Sequence, residues 1–200
     1  LRVLYMAKGN PAGLDLEFGP VTKSRWADFE KLFGKRGACG GCWCMFWRLH
    51  HAEFESKKGD KNRRAMKRLI TSGVVPGILA YHKKDPVGWC SVAPRVDFVR
   101  LEKSRIFKPI DDQPVWSITC LFVAKEYRKM GVSRRLIEAT VEYAKDKKAK
   151  IVEGYPFEPK SDRQPDPFVW TGLASSYFEA GFEEVARRSP TRPVVRYAIK

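Results

Sequence analysis

Residues 115–123, Val-Trp-Ser-Ile-Thr-Cys-Leu-Phe-Val, are apolar at nearly every position and lack the alternation of a strand with one wet face. A strand of this kind is covered on both sides, so it belongs in the middle of a sheet. A short turn containing Arg128 and Gly131 follows. In residues 132–147, Val132, Leu136, Ile137, Val141 and Ala144 then recur at helical spacing. A buried strand feeding an amphipathic helix through a tight turn requires helices packed on a sheet, which places the chain in the mixed α/β (α+β) class.

The flanking sequence fills out that class. An opening strand over 12–21 ends at Gly19-Pro20, and Ser24 is placed to cap a helix over 25–33 with Trp26, Phe29, Leu32 and Phe33 on one face. Residues 42–47 read as an aromatic strand, and 62–72 as a helix closed by Gly73, with Met66, Leu69 and Ile70 inward and a basic outer face. Apolar runs at 77–82 and 87–92 flank Lys83-Lys84-Asp85-Pro86 and predict a hairpin. A strand restarts at 150–152, and a loop with Pro156, Pro159, Pro165 and Pro167 leads to a second helix ending at Gly181. Strands over 182–186 and 194–199 close the chain. No internal repeat is visible, and 200 residues suit one domain spanning 1–200, its core from about residue 12 and 1–11 an extension. No run approaches the ~18 apolar residues that would span a bilayer, and Leu1-Arg2-Val3-Leu4-Tyr5 lacks the layout of a secretion signal, so a soluble cytoplasmic protein is expected.

The turn between buried strand and helix carries the chemistry. A helix N-terminus presents unpaired N–H groups and partial positive charge, and it binds phosphate well. Cations there oppose the helix dipole, yet Arg128, Lys129, Arg134 and Arg135 crowd this end. A bound anion resolves the conflict. Gly131 permits a positive φ or a close approach of ligand.

Arg128, Gly131 and Ser133 stand where the GNAT acetyltransferase superfamily has Arg or Gln, two residues, Gly, one residue, then Gly or Ala, and the chain resembles that superfamily. Ser133 departs from the pattern but is small. A second signature, Tyr177-Phe-Glu-Ala-Gly-Phe182, is similar to the family's Tyr four residues ahead of Gly-Phe, while Trp170 and Leu173 replace the Asn and Ala that often precede it. The resemblance spans roughly residues 20–185. It implies a central mixed, largely antiparallel sheet flanked by helices, with acetyl-CoA as cofactor. Leu121, Phe122, Val123, Arg128, Lys129, Met130, Gly131, Val132, Ser133 and Arg134 would bind it, with Val123 pairing its backbone with the pantetheine arm. It further implies direct attack of a primary amine on the thioester through a tetrahedral intermediate, with Tyr177 as the acid that protonates the departing thiolate.

The acceptor stays open: a small-molecule amine or a peptide, including a protein N-terminus or lysine. Glu102, Asp97, His82 and Glu158 are candidate general bases, alongside a water chain. Cys90 lacks an evident His and acid partner for nucleophilic work. A net charge of +15, from 38 Lys and Arg against 23 Asp and Glu, favours anionic ligands and admits a rival reading, a non-catalytic nucleic-acid-binding module. No aromatic interleaving accompanies the basic runs, so nucleic acid is not the expected partner. Five cysteines, an odd number, argue for reduced thiols. Cys39, Cys42 and Cys44 with His50 and His51 have zinc-site chemistry but no second Cys pair, so no metal is expected. Glu158, Asp162 and Asp166 in the long loop could attract a cationic amine. Oligomeric state is not encoded legibly, a homodimer included.

Overall fold

The computed structural model describes Tyr5, residues 13–159 and residues 170–200. Asp162, Asp166, Pro165 and Pro167 lie outside the described residues. Strand β1 (Glu17–Pro20) leads into α1 (Trp26–Phe33), and an irregular stretch separates α1 from α2 (His51–Ser56) and α3 (Asp60–Thr71). Strands β2 (Gly77–His82) and β3 (Asp85–Pro94) form the hairpin, and α4 (Val99–Glu102) precedes β4 (Trp116–Val123). The chain continues through α5 (Val132–Asp146), β5 (Ile151–Gly154), α6 (Ala174–Glu179), β6 (Glu183–Arg187) and β7 (Pro193–Ala198). These strands form one sheet in the order β1-β2-β3-β4-β5-β7-β6. Only the β4–β5 pairing is parallel. The mixed, largely antiparallel sheet expected from the sequence is therefore present, with the apolar strand β4 at its centre.

The period-2 alternation of the hairpin strands sorts the core into two layers. Ile78, Ala80 and Val92 pack with Leu136, Ile137 and Val141 of α5 on one face. Leu79, Tyr81 and Trp89 pack with Phe29 and Phe33 of α1 and Met66 and Ile70 of α3 on the other. Each Val, Leu, Ile, Phe or Met among these, fully buried, contributes roughly 1.5–3 kcal/mol relative to exposure. Below the sheet centre, the buried Glu153 carboxylate is held by Arg95 Nη1 at 3.2 Å, Arg196 Nε at 2.7 Å and the Tyr155 hydroxyl at 2.6 Å. This network ties β5 and β7 to the segment after β3.

Two expectations are corrected. Ser24 does not cap α1: it lies in a 3₁₀ turn, Lys23–Arg25, and its hydroxyl meets Thr22 Oγ1 at 3.0 Å. Residues 42–47 form no strand, because Trp43 and Cys44 adopt φ of 45° and 52°, a left-handed conformation that breaks extended pairing. The aromatic side chains there plug the sheet face from successive turns; Trp43 stacks on Phe33 at 5.8 Å. Helices α2 and α4 are also additions, both too short to leave an amphipathic period in sequence.

Candidate functional site

Strands β4 and β5 are paired only from Trp116↔Val152 to Ile118↔Gly154, after which β4 runs on to Val123 without β5 beside it. The two parallel strands splay apart, and a cleft of about 880 Å³ opens there. Backbone direction in β4 follows from its partners. The Ala124 amide donates to Val87 O on the β3 side at 2.9 Å, so by alternation the amides of Leu121 and Val123 point to the splay. The Leu121 amide is taken by Trp170 O at 2.7 Å. The Val123 carbonyl, on the same side, accepts from Arg128 Nε at 3.1 Å. Val123 and Leu121 thus both turn their backbones to the splay, the Leu121 amide already occupied by Trp170 O.

At the end of β4 the chain turns through Lys125–Tyr127 and enters α5. Gly131 is the N-cap, at φ 74° and ψ 5°, a left-handed conformation that costs an L-residue strain and glycine little. The first backbone bond of the helix is Arg135 N to Gly131 O at 3.2 Å, which leaves the amides of Val132, Ser133 and Arg134 without intrahelical acceptors. The first turn holds no acidic residue and no capping side chain. Arg128, Lys129, Gly131, Val132, Ser133 and Arg134 all line the cleft. Open amides, a dipole end and basic side chains face one concave surface, and together they fit a pyrophosphate. Arg134 is steadied by Glu138 Oε1 at 2.8 Å.

Two side chains of this turn lie off the cleft wall, one of them, Met130, from the expected cofactor-binding set. Met130 is at the outside of the turn, 36% exposed and off the cleft wall. Arg135, read as part of the basic crowd, turns inward and donates to Leu14 O at 2.7 Å.

Tyr177 sits one layer behind the cleft surface. Its ring is fully buried, and its hydroxyl donates to Thr171 O at 3.1 Å. Gly172, which does line the cleft, lies directly in front: a Cβ there would come 2.9 Å from Tyr177 Cε2 and 2.6 Å from Leu121 Cδ1. Burial, with the Cys90 and Cys120 thiols adding, pushes the phenol well above 10.0, so it keeps its proton at any ordinary pH.

The base candidates read from sequence are spent elsewhere. Glu102 bonds Arg95 Nε at 3.1 Å, Asp97 approaches Arg48 at 3.9 Å, His82 Nδ1 meets Asp15 O at 2.9 Å, and Glu158 pairs with Arg187. Among the described lining residues the carboxylates are Glu55 and Glu179. Glu55 accepts from Lys58 Nζ at 2.6 Å, and that contact holds its pKa below the usual value. Sequence reading missed it because α2 itself was not legible. Among the described residues no His, Cys, Asp and Glu cluster has the geometry of a metal site. No described helix is long and apolar enough to cross a membrane.

The profile of the acetyltransferase (GNAT) family matches residues 43–157, which hold the β4 edge, the basic turn and α5. The chain belongs to the GNAT family. Its members are acetyltransferases that draw on acetyl-CoA, and this chain is such an enzyme. No curated protein matches the chain. Among solved structures, the chain is similar to the PaiA N-acetyltransferase of Thermoplasma acidophilum in complex with coenzyme A: TM-score 0.52, 12% identity, covering 93% of this chain and 100% of that one. It is similar to a GNAT acetyltransferase of Listeria monocytogenes, with TM-score 0.57, 9% identity and coverage of 98% and 100%. A third is the ribosomal-protein-S5-alanine acetyltransferase of Vibrio fischeri, with TM-score 0.53, 13% identity and coverage of 98% and 96%. At these identities the likeness is one of fold.

Proposed function

We propose that this GNAT enzyme acetylates the primary amine of a small molecule or peptide, and that acetyl-CoA lies along the β4 edge with its pyrophosphate on the N-terminus of α5. The observation that carries this reading is the single cleft in which the Val123 backbone and the open amides of Val132, Ser133 and Arg134 meet. Acetyl-CoA supplies the activated thioester. Arg128, Lys129 and Arg134 hold phosphate charge at the mouth of α5. Leu121 and Phe122 shape the apolar floor beyond it. The amine comes from the opposite end, past Phe54 and Glu55, after giving a proton to water within reach of the Glu55 carboxylate. Tyr177 then donates its proton to the departing sulfur, its O–H bond turning from the Thr171 carbonyl as the Gly172 backbone in front of the ring gives way. The N–C bond forms first, giving a tetrahedral intermediate; the S–C bond breaks as that intermediate collapses, and the proton shed by the new amide nitrogen returns through solvent to the phenolate.

The phenol's high pKa does not disqualify it, because burial raises the basicity of a departing thiolate in the same way. Release of free thiol from acetyl-CoA tests the proposal, assayed with panels of amines, amino acids and peptides. Amine-dependent release with matching acetylated product is expected. Tight acetyl-CoA binding with no transfer to any amine or peptide would count against it.

A further inference from the structure

The part of the cleft away from α5 is walled by carbon and sulfur. Phe33, Phe46, Phe54, Phe122 and Trp170 line it. The rings interlock: Phe46 meets Trp170 edge-on at 4.7 Å and Phe54 at 5.3 Å, and Phe33 lies 5.9 Å from Phe122. Arg100 caps Phe46 at 3.7 Å and donates to the Phe46 carbonyl at 3.3 Å, which fixes that ring. Cys42, Cys44 and Cys120 fill the spaces between the rings. Trp89 Nε1 donates to Cys44 Sγ at 3.2 Å, and the Cys42 thiol donates to Gly37 O at 3.3 Å. Burial pushes Cys42 up to about 12, and the contact with Cys44 together with burial raises Cys120, so both present neutral thiols. Among the described residues the charged lining at this end is the Glu55–Lys58 pair, closed on itself at 2.6 Å.

Such a wall accepts one amine and rejects a second charge. An additional ammonium would enter an apolar space where, among the described residues, the carboxylate at this end, Glu55, is already paired with Lys58. It would also approach a chain of net charge +15. Sugar hydroxyls would likewise lose water without gaining partners, whereas an aromatic ring gains edge and face contacts. We propose that the acceptor is a monoamine on an aromatic or other compact apolar body, in preference to a polyamine, an aminoglycoside or a lysine-rich peptide. This rests on the cleft being the acetyl-transfer site.

The test compares kcat/KM of the unaltered enzyme for 2-phenylethylamine, spermidine, kanamycin and a lysine-rich hexapeptide, read as thiol release, with an acetyl-CoA melt shift run beside it. Preference for 2-phenylethylamine by about a hundredfold or more is expected, since unpaired polar groups are rejected at that scale or beyond. In a Phe46→Leu variant, KM for 2-phenylethylamine should rise about tenfold while the acetyl-CoA melt shift is retained. Preference for any of the three polar acceptors, or no turnover of 2-phenylethylamine by an enzyme that acetyl-CoA still stabilises, overturns this inference alone. Loss of the acetyl-CoA shift itself overturns the reading beneath it and this inference with it.

Discussion

Tyr177→Phe separates a working acid from a packing residue. The substitution deletes one hydroxyl and leaves the ring against Gly154, Gly172 and Phe182 unchanged. What it removes from the fold is the 3.1 Å bond to Thr171 O. A net hydrogen bond is worth about 0.5–1.5 kcal/mol. For a domain of this size that lowers the melting temperature by about 1–6 °C. What it removes from the reaction is the proton for the departing sulfur, and positioned acid catalysis contributes roughly 10²–10⁴ in rate. The assay is kcat with an active amine, alongside the acetyl-CoA dissociation constant and a thermal melt. We expect kcat to fall at least about a hundredfold, affinity to hold, and the melt to shift only by the amount above. Turnover within about threefold of the parent would show that the hydroxyl braces the Thr171 bend and does nothing for the sulfur.

Gly131→Val should weaken acetyl-CoA binding more than it destabilises the fold. No protein atom lies within 4 Å of the added Cβ, so the cost falls on the φ of 74° and on the space in front of the α5 amides. A folded variant with parental acetyl-CoA affinity by calorimetry would contradict the placement of the pyrophosphate. Glu153→Ala removes the buried carboxylate shared by Arg95, Arg196 and Tyr155, leaving Arg95 with the half-exposed Glu102 and Arg196 with Asp111, and should cost about 1–3 kcal/mol in urea unfolding; a loss below about 1 kcal/mol would mean the network is solvated. The buried Cys42 and Cys90 thiols, 9.0 when unfolded and about 12 in the fold, stabilise the protein fully below pH 9. That stability is lost as pH rises from 9 towards 12, by about 1.4 kcal/mol per pH unit for each thiol. Urea midpoints at pH 8 and pH 10 under reductant should therefore fall, and fall less in Cys42→Ala and Cys90→Ala; equal slopes in all three would show that neither thiol is linked.

The fold was legible where one period ran long enough. The apolar run of β4 and the helical spacing of α5 placed that strand and that helix within a residue or two, because burial on two faces and on one face leave different patterns. The aromatic end of the cleft was not legible. Trp43, Phe46 and Trp47 sit at spacings that fit a strand, and only the left-handed φ values of Trp43 and Cys44 turn them into plugs. The nearby Gly37, Gly40 and Gly41 were the available hint of irregular backbone. Arg135 could not be told from Arg134 by sequence, since adjacent helical residues point about 100° apart and the facing of the helix depends on tertiary packing. Glu55 was hidden because a helix of six residues leaves no period to read.

The central claim is that the α5 N-terminus and the β4 edge hold acetyl-CoA. A thermal melt of the unaltered protein with and without acetyl-CoA tests it most directly. At about a hundred times the dissociation constant, binding to the folded state alone adds about 2.7 kcal/mol. That amounts to a rise of roughly 5–11 °C for a domain of this size. The account predicts that rise, with a smaller one in Gly131→Val, and a melting curve unmoved by millimolar acetyl-CoA would contradict it.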